Sequence, residues 1–138
     1  MSFREKSAWL MAVAVLTGGV FYALATAGLS AQLGAAAPLA PVIVALVAVM
    51  AAIAIFGHVI VALLAPKDAD PALDERDRIV MARAGAISAY VFATGVVCAL
   101  GGYLVTRDGD ALFHFVFASL FIGQFAEYAL QIVFYRCA

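Results

Sequence analysis

Four long apolar stretches constrain the fold of this chain more than any other feature of its sequence. They cover residues 8–30, 39–65, 84–106 and 112–135, and each can cross the roughly 30 Å hydrocarbon core of a bilayer as a helix. Lipid offers no hydrogen-bond partners to the backbone, and the alternating pattern of a β-barrel strand is absent. The sequence therefore predicts an all-α integral membrane four-helix bundle that forms a single domain over residues 1–138.

The composition agrees with lipid as the solvent of this chain. Hydrophobic residues make up 67% of the sequence and charged residues only 12%, whereas soluble domains carry about 25% charged residues. A chain with so few charges cannot cover its surface with polar groups. The net charge of −1 is too balanced to indicate direct binding of nucleic acid.

The distribution of lysine and arginine predicts the orientation of the four spans. Arg107 alone lies between the third and fourth spans, and the other basic residues lie at the opposite ends of the spans: Arg4, Lys6, Lys67, Arg76, Arg78, Arg83 and Arg136. Because basic residues concentrate on the cytoplasmic side, we expect both termini to be cytoplasmic and neighbouring helices to be antiparallel. Trp9, Tyr103 and Tyr135 fall near the expected interfaces. The predicted location is the bacterial cytoplasmic (inner) membrane, which the chain crosses as a multi-pass protein.

A competing interpretation concerns the N-terminus. Arg4 and Lys6 precede an apolar run that ends in small residues at 25–27, which is also typical of a cleaved signal peptide. The run is long for a signal peptide, and its removal would leave three spans. We therefore favour a retained first span.

Most of the charge lies between the second and third spans. We expect Asp70 as a helix N-cap and Pro71 as the first helical residue, so that the third helix begins near residue 71 and continues through residues 74–78. Asp74 and Arg78 are four residues apart, which suits an ion pair on a helix.

This charged helix start has two interpretations. It is either a solvated segment whose basic residues anchor the topology and contact lipid head groups, or a surface that binds a cytoplasmic partner or pairs with other charges beneath the bundle. The residues of the candidate partner contact are Asp74, Glu75, Arg76, Asp77 and Arg78.

Three parts of the chain resemble a family of small four-helix membrane proteins of bacteria and archaea that has no assigned function. They are residues 1–9 (MSFREKSAW), residues 74–78 (DERDR) and the ending with Gln131, Tyr135 and Arg136. Members of that family are often encoded beside small helix-turn-helix regulators. The resemblance therefore implies a membrane regulator that binds or sequesters such a protein, and it carries over no functional residues.

Three ionisable residues, His58, His114 and Glu127, fall inside the apolar stretches, where charge is costly. We expect His58 and Glu127 at similar depth near the cytoplasmic end and His114 near the outer surface, so the two histidines cannot hold one haem between them. Gln124, Glu127 and Gln131 share one face of the fourth helix by their spacing. That face should line the bundle interior, where His58 could donate a hydrogen bond to Glu127.

The candidate intramembrane polar site, formed by His58, Gln124, Glu127 and Gln131, has two interpretations. Its members could form interhelical hydrogen bonds, each worth about 0.6 kcal/mol. Alternatively, they could line a cytoplasm-facing cavity in which Glu127 holds a proton or cation. A cavity that reaches Glu127 would favour transport, whereas a tight interhelical bond would favour a scaffold. His58, Glu127 and Cys137 match no known metal-ligand spacing, so no metal site is predicted.

Sequence motifs give no support to an enzyme, because no P-loop, dinucleotide fingerprint or hydrolase motif is present. No cofactor is predicted. The leading hypothesis is a small non-enzymatic inner-membrane protein that acts in regulation or as a scaffold through its cytoplasmic charged helix start. The alternative is a small transporter or an ion- or proton-conducting protein that uses Glu127 and His58. The expected partners are membrane lipid, a cytoplasmic protein such as a small helix-turn-helix regulator, and a second copy of the chain.

Overall fold

The computed structural model describes residues 3–35, 38–64 and 74–137. These residues form four α-helices, which are α1 (Phe3–Leu33), α2 (Leu39–Leu64), α3 (Glu75–Thr106) and α4 (Gly109–Cys137). All four helices are long and apolar enough to cross a membrane. The predicted all-α class and the four candidate spans are therefore confirmed.

The packed interfaces place the helices in the order α2, α1, α4, α3, which we call the row. Helix α1 packs against both α2 and α4, and α4 also packs against α3. Within the described residues the other pairs of helices have no packed interface, although side chains of α1 and α3 meet at one end. Among the described residues α2 and α3 share no packed interface, so the predicted bundle is held together by the three interfaces along the row.

Small residues allow the close approaches between neighbouring helices. A Cβ atom at Gly123 of α4 would lie 2.9 Å from the Cβ atom of Phe92 of α3. A Cβ atom at Gly95 of α3 would lie 2.7 Å from the Cβ atom of Ser119 of α4. Any larger residue at these glycines would therefore push α3 and α4 apart.

An aromatic cluster lies between α1 and α4 near the start of α4. The ring centroids of Tyr22 and Phe117 are 4.5 Å apart, and those of Phe117 and Phe121 are 5.4 Å apart. Tyr22 is buried against Val42 and Leu46 of α2. The interfaces of α1 with α2 and with α4 therefore share one apolar core in this half of the row.

Helix α3 begins later than the sequence predicts. Asp74 has extended backbone geometry (φ −68°, ψ 154°), and its Oδ1 atom accepts a hydrogen bond of 2.6 Å from the N–H of Glu75. Asp74 is therefore the N-cap, and the prediction that the helix runs through Asp74 is wrong; Asp70 and Pro71 lie outside the described residues. Among the described residues no ion pair joins Asp74 to Arg78, because the Asp74 carboxylate caps the helix instead.

Candidate functional site at the charged end

Charged residues of three helices meet at one end of the row, which we call the charged end. Arg4 and Glu5 come from the start of α1, Asp77 from the start of α3, and Tyr135 and Arg136 from the end of α4. Residues that are far apart in the sequence are thus direct neighbours here. The charged end is where α1, α3 and α4 interact through polar side chains.

Asp77 links these three helices through contacts that we call the Asp77 latch. Its Oδ2 atom lies 2.8 Å from Nε of Arg4, and its Oδ1 atom accepts a hydrogen bond of 3.0 Å from the hydroxyl of Tyr135. The side chains of Arg4 and Asp77 are only 28% and 18% exposed, so water screens this ion pair less than it screens a pair on an open surface. Arg76 adds a hydrogen bond of 3.1 Å from Nη2 to the carbonyl oxygen of Tyr135.

A second ion pair joins α1 to α4. Nε of Arg136 donates a hydrogen bond of 3.1 Å to Oε1 of Glu5, whose side chain is buried. The guanidinium carbon of Arg136 also lies 5.6 Å from the centroid of the Trp9 ring, within cation–π range. Glu5 lies in the first turn of α1 and Arg136 in the last turn of α4, so each charge suits the dipole of its own helix.

The residues of the candidate partner contact divide into two sets. Asp74 caps α3, while Arg76 and Asp77 bond to other helices. Glu75 and Arg78 are exposed in the first turn of α3. Asp77 thus pairs with a charge of another helix and Arg76 bonds to a backbone carbonyl of α4, whereas Glu75 and Arg78 stay candidates for contact with a partner.

A cavity of about 310 Å³ adjoins the Asp77 latch, and we call it the Glu127 cavity. Residues from all four helices line it, so its shape depends on the whole row. They are Arg4, Ser7, Ala8, Met11, His58, Met81, Glu127, Tyr128, Gln131 and Tyr135. The structure therefore brings His58, Glu127 and Gln131 of the candidate polar site to one cavity, which it shares with two residues of the latch.

His58 bonds to α1 rather than to α4. Its Nδ1 atom lies 2.7 Å from the carbonyl oxygen of Ala54, so Nδ1 carries the proton and donates it. In the neutral ring Nε2 then accepts a hydrogen bond of 2.9 Å from the hydroxyl of Ser7. Within the described part of the chain no hydrogen bond joins His58 to Glu127, because α1 lies between α2 and α4.

Glu127 bonds within its own helix. Nε2 of Gln131 donates a long hydrogen bond of 3.4 Å to Oε1 of Glu127, and no hydrogen bond or ion pair from another helix reaches Glu127 among the residues described. Gln131 is buried, while Gln124 is exposed and lines a neighbouring cavity with Ser88 of α3 and Glu127 itself. The expected interhelical bonds of this polar face are therefore not seen, and Glu127 lines two cavities instead.

His114 lies near the start of α4, far from the charged end. The hydroxyl of Tyr22 lies 2.8 Å from its Nδ1 atom, and Oδ2 of Asp110 lies 3.8 Å from its Nε2 atom. This placement agrees with the expectation that His58 and His114 cannot act on one haem. Tyr22 was not expected to contact His114, because that contact requires α1 beside α4.

Sequence analysis missed several residues that shape the candidate site. Arg4 and Tyr135 were interpreted as topology and interface anchors, and Ser7 was given no role, although all three line the Glu127 cavity. Only the spacing of Arg4 and Ser7, three residues apart on one helical face, was a signal. Across the described ranges, no cluster of three or more His, Cys, Asp or Glu side chains could hold a metal ion.

Comparison with models of protein families, with curated proteins and with solved structures found no match to this chain. The class of the protein therefore comes from its own geometry. It is an all-α protein with four candidate membrane-spanning helices, in which a polar cavity adjoins a network of ion pairs.

Proposed function

We propose that the chain is a multi-pass protein of the bacterial cytoplasmic membrane, with both termini in the cytoplasm and neighbouring helices antiparallel. The concentration of lysine and arginine at the charged end supports this orientation. Contacts between α1 and α2 support the antiparallel arrangement, since Leu10 lies beside Gly57 and Gly18 lies beside Met50. The charged end then faces the cytoplasm.

Within this orientation the chain acts as a non-enzymatic regulator through the cytoplasmic start of α3. The observation that carries this proposal is the Asp77 latch, in which one carboxylate in the first turn of α3 is held by Arg4 of α1 and Tyr135 of α4. The latch fixes the direction in which Glu75 and Arg78 are presented. A surface that is ordered in advance loses less entropy when a partner binds.

The proposed partner is a cytoplasmic protein, such as the small helix-turn-helix regulators that the family resemblance implies. Control of this surface by a ligand would use a second site. The Glu127 cavity is suited to that role because Arg4 and Tyr135 line it and also hold Asp77. A ligand in this cavity would contact residues that position the partner surface. The two sites would therefore be coupled through shared side chains rather than over a distance.

The partner surface can be tested with Arg78→Ala. Removal of an exposed charge from an interface should weaken partner binding by about tenfold, which corresponds to roughly 1.4 kcal/mol. The measurement is quantitative recovery of proteins that co-purify with the detergent-solubilised chain. Arg107→Ala is the matched control, because it removes the same charge at the opposite end. A partner recovered equally with wild type and with both variants would reject the proposal.

A small transporter or a proton- or cation-conducting protein is the second candidate, and the cavity at Glu127 favours it. The Glu127 carboxylate lines a space of about 310 Å³ and has no bond to another helix among the described residues. Tyr22, Phe117 and Phe121 fill the interface between α1 and α4 towards the other end. Passage along this interface would therefore require these rings to move.

Glu127→Gln tests this second candidate, since it keeps the shape of the side chain and removes its charge. In liposomes the variant should reduce flux of protons or monovalent cations to the level of protein-free vesicles. Glu75→Gln is the control, because its carboxylate lies outside the Glu127 cavity. Wild-type protein that produces no flux would exclude conduction and leave the regulatory proposal standing.

A further inference from the structure

A second cavity at the charged end lies between α3 and α4, and we call it the α3–α4 groove. It has a volume of about 480 Å³ and shares no lining residue with the Glu127 cavity. Its lining residues are Glu75, Arg76, Ile79, Val80, Arg83, Phe134 and Cys137. The groove thus combines charged side chains from the first turns of α3 with apolar side chains from both helices.

Arg83 is the charged residue of this groove that lies farthest along α3. It follows Arg76 by seven residues, so about 10 Å of helix rise separates the two and both fall on one side of α3. Ile79 and Val80 lie between them, and the long apolar part of α3 begins at Ala84. Arg83 therefore lies at the boundary between the charged start of α3 and its apolar part.

Arg83 is exposed and has no hydrogen bond or ion pair within the described residues. A charge at the edge of an apolar span is costly unless an opposite charge meets it. A long arginine side chain at this depth reaches towards the head-group layer. Since no described protein carboxylate pairs with Arg83, an anionic group of the surrounding membrane is the partner of matching charge.

The charges and shape of the groove define the ligand more closely. Two arginines and one glutamate leave one net positive charge, which complements the single negative charge of a phosphodiester. Arg76 holds the carbonyl oxygen of Tyr135 through its Nη2 atom, and its positive charge borders the head-group position that Arg83 defines. Ile79, Val80 and Phe134 provide apolar contact for an acyl chain. A soluble phosphate has no acyl chain, so these residues favour a lipid as the ligand.

We propose that the α3–α4 groove binds an anionic phospholipid of the same leaflet, with its phosphate at Arg83 and an acyl chain against Ile79, Val80 and Phe134. Basic pockets between membrane helices are a recognised means of lipid head-group binding. Glu75 lies at the outer rim, where it can accept hydrogen bonds from hydroxyl groups of a glycerol head group. This site requires the membrane placement proposed above and is independent of the regulatory role.

Native mass spectrometry of the detergent-purified chain with added phosphatidylglycerol or phosphatidylcholine tests the site. Wild-type protein should retain phosphatidylglycerol in preference, and Arg83→Gln should weaken this retention by about tenfold. Arg83→Lys keeps the charge and should retain most of the preference. Arg107→Gln, which removes a positive charge at the other end, should behave as wild type.

Equal retention of phosphatidylglycerol by wild type and Arg83→Gln would overturn the proposal, as would an equal loss in Arg107→Gln. Competition with soluble glycerol phosphate tests whether the acyl chain is needed, because this compound carries the phosphate without the acyl chain. It should compete poorly with the lipid. Displacement of the lipid by an equal concentration of glycerol phosphate would overturn the assignment of the groove to a lipid. Arg83 is exposed, so its variants should fold, which circular dichroism of the same samples checks.

Discussion

Asp77→Ala is expected to lower the free energy of unfolding by about 1.5–3 kcal/mol, which is the range for hydrogen bonds to charged groups. The change removes the carboxylate that lies 2.8 Å from Arg4 and accepts the hydroxyl of Tyr135 at 3.0 Å. It therefore disconnects the start of α3 from both α1 and α4. Unfolding in mixed micelles with increasing sodium dodecyl sulfate, followed by circular dichroism, measures the loss.

Glu75→Ala is the matched control for Asp77→Ala. It removes the same charge from the same turn of α3, but Glu75 is exposed, and exposed substitutions usually change stability by no more than about 0.5 kcal/mol. Asp77→Asn should fall between the two, because an amide can still accept from Tyr135 but cannot form the ion pair. Equal destabilisation by Asp77→Ala and Glu75→Ala would show that the latch contributes nothing specific.

Gly123→Leu should also destabilise the row strongly, at the interface of α3 and α4. Even a Cβ atom at this position would lie 2.9 Å from Cβ of Phe92, 3.5 Å from its Cα atom and 3.6 Å from the carbonyl oxygen of Ser88. The clash at 2.9 Å is with a Cβ atom, which cannot rotate away from its own backbone, so α3 itself must move away from α4. Overpacking of this kind costs about 1–3 kcal/mol and sometimes more. The same detergent titration reports the effect.

Gly101→Leu isolates the packing part of that effect. A Cβ atom at Gly101 would meet nothing within 4 Å, so the variant adds the same atoms without a clash. Leucine is also a better helix former than glycine, which stabilises either variant by about 1 kcal/mol. This gain is the same in both variants, so a comparison between them leaves only the effect of packing. We expect Gly101→Leu to be neutral or stabilising. A Gly123→Leu protein as stable as Gly101→Leu would contradict the close approach of α3 and α4.

The four helices could be predicted because the length and hydropathy of a span depend on local sequence alone. The order of the helices could not, since small residues occur on several faces of each helix. Gly18 illustrates this, because a Cβ atom there would meet both Met50 of α2 and Phe121 of α4. One residue thus serves two interfaces, and its spacing in the sequence does not say which partners it has.

The sequence also predicts the depth of residues in the candidate site but not which residues of other helices they contact. The sequence places His58 and Glu127 near one end of the row, and the structure brings both to one cavity. It does not reveal that α1 separates them, so Ser7 was missed as the partner of His58. Asp70 and Asp74 are both suitable N-caps in the sequence, and the extended backbone of Asp74 identifies it as the residue that caps α3.

The ion pairs of the charged end have a consequence for the order in which the protein matures. Helix α1 can pack against α2 soon after both are synthesised, but the contact of Glu5 with Arg136 spans most of the chain. Asp77 can approach Arg4 earlier, but the hydrogen bond from Tyr135 to Asp77 forms only after α4 has been synthesised. The buried carboxylate of Glu5 therefore gains its arginine partner only when the final turn of α4 has left the ribosome. The first turn of α1 therefore completes its contacts later than the rest of that helix.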